Sequence, residues 1–347
     1  MKSYVFPGNI REDILAIGNC QIPYMRTKEF SDINLESEAL LLDFIGSPKG
    51  NVIIYTGSGT GAMDAIVSNY VKTKKKAFVI DGGTFGHRWY ALCEYYQVES
   101  YDYKVSFAKD IDYIDLENVL CREKPDVLLC QHHETSSGQK FDLEKISKLC
   151  KKYNISLVVD AISSFLAEEL DMETLEIDIC LTSTQKGLNT PPGLSIIFIS
   201  PKLKGYSFAH LGYYFDFEEN LSNMKRGQTP YSPATSIFLQ LHKRLLQIRK
   251  DGGVRNVINK VKERALYFRQ LCMENNWNIP AECPSYAITG FYVNRNSDKI
   301  FRALIEEKDI FIMPGSVPGF FRVSHMGEQS LEDLLELALT IKEIESR

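Results

Sequence analysis

Thr182-Ser183-Thr184-Gln185-Lys186-Gly187-Leu188-Asn189-Thr190-Pro191-Pro192-Gly193 lies between two apolar runs, Ile177–Leu181 and Leu194–Ile199. Glycine and paired prolines mark a turn. The lysine therefore stands on a bend between two strand-like segments and not on a solvated helix face. The flanking runs are too apolar for a surface ribbon, which predicts an amine close to the interior. There a charged lysine is costly and has to be paired, deprotonated or covalently used. A side chain that snorkels to water is the bland alternative. A second feature weighs against it: Val158-Val159-Asp160 sets a carboxylate at the end of another apolar strand.

The same texture recurs toward the N-terminus. Val52–Tyr55, Ala77–Ile80, Val98–Tyr101, Asp126–Cys130 and Ser156–Val159 are short apolar runs. Helical stretches separate them: Ala62–Val71, a segment from Gly82-Gly83 to about Tyr96, Ile114–Cys121 and Leu143–Tyr153. Strands alternating with such helices predict an α/β fold, with a mostly parallel sheet covered on both faces. Ligands in these sheets sit at the carboxyl ends of strands, where Ser58, Phe85, Thr135, Asp160 and Lys186 all fall. Asn34–Ile45 carries apolar residues at helical spacing, and the residues before position 21 read as an N-terminal arm. Residues 205–235 hold aromatics and turn formers, a helix follows to about Arg249, and Asp251-Gly252-Gly253 breaks the chain. The expected division is an arm at 1–20, a large domain at 21–250 and a small C-terminal α+β domain at 251–347. The last would hold a helix over 254–275, strands near 287–293, 311–313 and 320–324, and a closing helix from Leu331.

At 347 residues, 44% hydrophobic and 24% charged, the chain has the composition of a globular protein with a proper core. A net charge of −5 and a pI near 5.8 speak against a nucleic-acid groove. The one basic run, Lys72-Thr73-Lys74-Lys75-Lys76, reads as the end of a helix. No stretch nears the roughly 18 apolar residues of a membrane span, and Met1–Gly8 lacks the apolar core of a signal peptide. Eight scattered cysteines without a Cys-x-x-Cys pair suit a reducing cytoplasm.

A buried lysine with a strand-end aspartate is the pair that pyridoxal 5′-phosphate (PLP) needs: an amine for a Schiff base and an anion that keeps the pyridine nitrogen protonated. A helix N-cap is the plain alternative for Asp160. Gly57-Ser58-Gly59-Thr60-Gly61, between a strand and a helix, suits an anion, because glycines admit close approach and the first helical N–H groups are unpaired. A tight turn explains the glycines equally well. His132 and His133 do not readily share a metal, since neighbours on a strand face opposite ways. The run from His132 to Gly138 reads instead as a polar strand end whose hydroxyls meet a ligand. Phe85 fits either a stacking ring or ordinary core.

Ser58-Gly59-Thr60, His132-x-Glu134-Thr135-Ser136-Ser137-Gly138, Val159-Asp160 and Ser183-Thr184-Gln185-Lys186-Gly187 to Pro191-Pro192-Gly193 occur together and in this order. Jointly they resemble the class V aminotransferases of PLP fold type I, in the branch of alanine–glyoxylate, serine–pyruvate and 2-aminoethylphosphonate–pyruvate transaminases. The resemblance extends from about residue 5 to the C-terminus. It implies a large domain with a mostly parallel seven-stranded sheet between helices, and a smaller C-terminal domain. It further implies that Lys186 holds PLP as a Schiff base and shuttles the proton, with Asp160 at the ring nitrogen. Phe85 and Ile162 would cover the two ring faces. Ser58, Gly59, Thr60 and Gln185 would hold the phosphate, with Thr135 near the phenolic oxygen. Gln228 and Thr229 match the segment that reaches the neighbouring subunit's phosphate, which implies a homodimer with shared active sites. Arg322, in Phe321-Arg322-Val323-Ser324, matches the arginine that forks the substrate carboxylate; a surface salt bridge is its alternative. His133 departs from the family pattern of a small residue or Asn.

The implied activity moves an amino group from a small donor (alanine, serine or 2-aminoethylphosphonate) to a 2-oxo acid such as pyruvate or glyoxylate. The nearest alternative is a PLP lyase or cysteine desulfurase on the same scaffold. Those relatives place His where Phe85 stands and carry a nucleophilic cysteine on a C-terminal loop, which neither Cys272 nor Cys283 supplies. A non-catalytic PLP-fold protein that binds a sugar or a partner is the other.

Overall fold

Seven strands build the central sheet: β1 (Asn51–Thr56), β2 (Lys76–Asp81), β3 (Glu99–Lys104), β4 (Val127–Gln131), β5 (Ser156–Asp160), β6 (Ile179–Ser183) and β7 (Leu194–Ile199). The computed structural model describes residues 1–315 and 317–347. The sheet order is β1-β7-β6-β5-β4-β2-β3. All neighbours are parallel except β7, which runs against both β1 and β6. That one reversal leaves β1, β2, β4, β5 and β6 pointing the same way. Their carboxyl ends, and the loops after them, therefore share one edge. β4, β5, β6 and β7 are buried along their length apart from Ser156, as expected of strands covered on both faces.

Helices α1 (Lys28–Phe44), α2 (Gly59–Asn69), α3 (Thr84–Tyr95), α4 (Tyr113–Glu123) and α5 (Leu143–Tyr153) supply that cover. Short polar side chains set their starts. Asp112 accepts from Ile114 and Asp115 N–H and opens α4, and Asp142 accepts from Lys145 N–H and opens α5. Lys124 and Asn154 end the same helices in the left-handed conformation. One apolar layer joins Phe78, Leu128, Val159 and Phe198 to α1, α4 and α5. The opposite layer joins Val79, Leu129, Val158 and Ile197 to α2 and Trp89 of α3.

Beyond β7 come α6 (Phe217–Met224), α7 (Thr235–Lys250) and α8 (Gly253–Glu274), then β8 (Ile288–Tyr292), α9 (Ser297–Glu306), β9 (Met313–Pro314), β10 (Phe320–Ser324) and α10 (Leu331–Ser346). The order β8-β10-β9 forms a small antiparallel sheet. Phe268, Phe291, Val323 and Leu337 pack over it, together with Tyr4 from the N-terminus.

Several sequence expectations need correction. α1 begins at Lys28, six residues before Asn34, because the Thr27 hydroxyl accepts from Phe30 N–H. The expected strand at 311–313 serves two sheets. Ile310–Phe311 pairs with Lys2–Ser3, while Met313–Pro314 pairs with β10. Three helices were not expected: the short Glu12–Leu15 in the arm, α6, capped by Asp216 within the aromatic stretch, and α9. Lys72 caps a helix, but the neighbouring one, donating to Tyr96 and Gln97 carbonyls at the end of α3.

Candidate active site

Lys186 follows β6 on a bend that its neighbours fix tightly. Thr184 N–H donates to Leu194 O, and the Thr184 hydroxyl donates to Pro191 O at 2.9 Å. Asn189 closes the turn through its N–H to Lys186 O, in the left-handed region at φ 50°. Gly187 is required: a Cβ there would lie 2.1 Å from Phe165 O. Asn189 Nδ2 also donates to Pro7 O and Asn9 O. It thereby draws the N-terminal segment over the bend, and the Phe6 ring centroid lies 3.3 Å from Lys186 Nζ. Burial pulls the amine down to about 7, with Asp160 opposing and Arg322 reinforcing that shift. A substantial fraction is therefore neutral at pH 7.

Asp160 ends β5, one strand away from the lysine bend. No helix follows it, so the N-cap alternative fails. Instead Oδ1 accepts from Ile162 N–H at 2.8 Å, an Asx turn. Among the described residues Oδ2 has no hydrogen bond. The side chain is 6% exposed. Burial pushes its carboxyl up to about 7, Glu134 adds to the rise, and Lys186 and Arg88 oppose it.

After β1, Ser58 takes the N-cap position of α2 without using its hydroxyl to cap. The glycine run is thus the first turn of the helix itself, beginning at Gly59. The Gly59 and Thr60 N–H groups are unbonded among the described residues. A Cβ on Gly59 would meet Ile162 Cδ1 at 2.4 Å, so the chain two residues beyond Asp160 lies directly against this turn. Thr60 Oγ1 accepts from Arg88, whose guanidinium lies 5.0 Å from the Phe85 ring centroid. Gln185 Oε1 is buried without a partner. Thr135 Oγ1 pairs with Ser163 Oγ at 2.6 Å.

Glu134 organises the middle of the site. It is fully buried, yet accepts from Phe85, Gly86 and Ser136 N–H and from Gln131 Nε2 at 3.0–3.2 Å. It therefore locks the first turn of α3, and with it Phe85, to the end of β4. Arg322, on β10, donates from Nη1 to Thr135 O at 3.0 Å and from Nη2 to Pro314 O at 2.9 Å. Both bonds go to carbonyls and among the described residues Arg322 forms no ion pair, so the salt-bridge alternative fails.

The structure thus gathers Ser58, Gly59, Thr60, Phe85, Thr135, Asp160, Ile162, Lys186 and Arg322 through linked contacts along one sheet edge. Gln228 and Thr229 are not joined to them. Gln228 bonds Arg26 and Ser31 near the start of α1, and Thr229 bonds Tyr231 O. Phe6, Arg88 and the bridging use of Glu134 went unread in the sequence. Arg88 had a signal, since it stands three residues after Phe85 on one helical face. Phe6 had none, because it meets Lys186 from the far end of the chain. His133 is 3% exposed with both ring nitrogens unpartnered, and burial holds it well below the usual histidine range.

The donor set fits PLP. A buried carboxylate has a vacant oxygen, a partly buried amine is close to neutral, and a helix N-terminus offers free N–H groups beside a glycine that only a hydrogen can occupy. This sheet order and donor set are those of PLP fold type I. The chain belongs to the class V aminotransferases: the family model described as Aminotransferase class-V matches residues 21–220. As a member it moves an amino group between an amino donor and a 2-oxo acid, and membership implies PLP. A relative named "Soluble hydrogenase, small subunit", from Synechococcus sp. (strain PCC 6716), is 28% identical over 93% of this chain and 86% of its own. A bifunctional phosphonoacetaldehyde hydrolase/aminoethylphosphonate transaminase from Clostridioides difficile is 28% identical over 85% of this chain and 48% of its own. The fold matches aspartate aminotransferase of subgroup IV from Thermus thermophilus with a TM-score of 0.91 and 23% identity, covering 99% and 98% of the two chains. It matches alanine–glyoxylate aminotransferase from Nostoc sp. with a TM-score of 0.91 and 20% identity, covering 97% and 93%.

Proposed function

We propose that the chain transfers an amino group from alanine, serine or 2-aminoethylphosphonate to pyruvate or glyoxylate, with PLP held by Lys186. The observation that carries this reading is the pairing of a near-neutral amine with a buried carboxylate on adjacent strands of one sheet edge. When bound, PLP supplies the aldehyde that captures the amine and the ring that stores electron density. Lys186 Nζ would be the group that accepts and returns the proton lost from the donor's Cα. The free oxygen of Asp160 would hold the ring nitrogen and favour its protonated form. Ser58, Gly59, Thr60 and Gln185 would hold the phosphate, Phe85 and Ile162 would cover the ring, and Thr135 would serve the phenolic oxygen.

Arg322 forks the carboxylate of a 2-oxo acid. Its Nη1 and Nη2 are already aimed by two carbonyls, so little side-chain entropy remains to be lost on binding. Arg322→Ala is expected to raise KM for pyruvate or glyoxylate roughly tenfold or more, as loss of a charged hydrogen bond predicts, while leaving PLP loading intact. An unchanged KM would remove the assignment.

The same reading carries a homodimer with shared active sites, in which Gln228 and Thr229 reach the phosphate of the second subunit. Exposed Leu15, Ile22, Tyr24, Tyr213 and Tyr214 support it, as apolar surface suited to a second copy. It also carries the division into an arm at 1–20, a large domain at 21–250 and a small domain at 251–347. A cytoplasmic setting suits eight free cysteines. Among the described residues no helix is long and apolar enough to cross a membrane. A desulfurase reading is disfavoured: Cys272 is buried with its thiol pushed up to about 12, and burial also raises Cys283.

The deciding experiment adds each amine in turn to the PLP-loaded protein and follows the visible band. A transaminase bleaches it to the near-ultraviolet band of the aminated cofactor, and pyruvate or glyoxylate restores it. Release of ammonia or sulfide without that cycle would point to the lyase, and a protein that never takes up colour would leave only a binding scaffold.

A further inference from the structure

A second concave site adjoins the bend that carries Lys186. It is a cavity of about 80 Å³ between α7, α8, the Gly187 backbone and the loop Met326–Glu328 that follows β10. A single water needs roughly 10–15 Å³ on this kind of measure, so the space suits one compact polyatomic ligand.

Four cations line it, Arg11, Arg244, Lys260 and Arg264, against two carboxylates, Asp251 and Glu328. This excess is notable in a chain of net charge −5. The cations are poorly matched. Arg244 is 9% exposed, and its Nε donates to Leu188 O at 3.2 Å. Its nearest carboxylate oxygen, on Glu328, is 3.8 Å away, beyond hydrogen-bond reach. Arg264 spends Nη1 on His325 O and Gly327 O. Among the described residues neither Arg264 nor Lys260 has a carboxylate oxygen within 4 Å, and only Arg11 is closely paired, with Asp13 at 3.1 Å. Burial lowers both Arg244 and Arg264 from the ordinary guanidinium value, while Glu328 opposes the shift. The nearly buried Arg244 and the half-buried Arg264 thus bring to the lining of one small cavity guanidinium N–H donors that no carboxylate within hydrogen-bond reach satisfies.

We propose that this cavity binds a small oxyanion, a phosphate or a short carboxylate, between Arg244, Lys260 and Arg264. Guanidinium forks match the paired oxygens of either group. The site does not depend on PLP, yet it touches the catalytic machinery at two places. Arg244 holds the carbonyl two residues beyond Lys186, and Arg264 holds the loop that leaves β10 three residues after Arg322. An oxyanion shared by both arginines would tie the lysine bend to the strand that carries the carboxylate-binding arginine.

The test is calorimetric titration of the PLP-loaded protein, in which the cofactor's own phosphate fills the α2 cradle, with inorganic phosphate and separately with malonate. Saturable binding of at least one probe is expected. It should weaken roughly tenfold or more in Lys260→Glu, a change at an exposed residue, as loss of one charge-assisted contact predicts. Arg11→Ala should weaken it less, and Arg322→Ala should leave it unchanged. Binding that vanishes in Arg322→Ala but persists in Lys260→Glu would move the ligand to the substrate site and overturn the proposal. So would the absence of binding by both probes.

Discussion

Lys186→Ala is expected to lower turnover roughly 10³-fold or more, within the range set by loss of a positioned proton-transfer group, and to leave a colourless protein. On the proposed reading two losses would coincide at one atom: the anchor for the cofactor and the base that serves the donor's Cα. Folding should survive. The bend is held by Thr184, Gly187 and Asn189 through backbone and hydroxyl contacts, none of which uses the lysine amine. The readouts are single-turnover amino transfer, visible absorbance and thermal unfolding without PLP. Retention of more than about one tenth of wild-type turnover would place the chemistry elsewhere.

The wild-type amine adds a pH signature to the same experiment. An ordinary lysine is nucleophilic only well above pH 9. Burial brings Lys186 to about 7. The rate of colour formation on adding PLP to the stripped protein should therefore climb between pH 6 and 8 and level off above. Phe6, stacked on the amine at 3.3 Å, favours the charged form and works against that drop. Desolvation outweighs it because the bend lies under the N-terminal segment and away from bulk water.

How much of this was legible before folding depends on the range of the interactions involved. The strand Leu194–Ile199 is apolar at every position but one, and its bounds were readable to the residue. The placing of Asp160 and Lys186 on one sheet edge was readable because Asp160 ends a strand and Lys186 follows the end of the next, and these strands run parallel. The start of α1 was blurred, since Lys28–Ile33 offers only Phe30 and Ile33 as apolar residues and its signal is the single hydroxyl of Thr27. α6 was hidden behind a stretch whose aromatics give no helical period: Tyr214 and Phe215 pack on Tyr55 and each other, and Tyr213 packs on Tyr231. Glu134 was in view as a motif letter. Its work, bonding backbone 48 residues away, appears only when β2 and β4 lie side by side. The roof over Lys186, made by Phe6, is a contact between distant segments that no local pattern encodes.

Asp160→Asn separates what the site costs from what it does. The substitution keeps shape and the acceptor for Ile162 N–H, but removes the anion proposed to hold the ring nitrogen. Turnover should fall roughly 10²-fold or more, in line with the loss of a preorganised electrostatic partner. Stability without PLP should move the other way. The folded carboxyl is raised to about 7 from an unfolded value of 3.8. Its stabilising contribution is therefore complete below pH 3.8, shrinks as pH rises toward 7, and is gone above it. Asparagine has no such dependence. Relative to wild type, the stripped variant should gain stability from about pH 4 to 7 and hold a plateau beyond, by at most about 4 kcal/mol. With PLP bound the advantage should narrow or reverse, because the wild-type carboxylate would then gain the partner proposed for it. The measurement is thermal or urea unfolding of both proteins at pH 4, 6 and 8, with and without PLP. A wild-type protein that outlasts the stripped variant at pH 8 would mean that Asp160 is already satisfied without its cofactor, and the proposed role for its free oxygen would go.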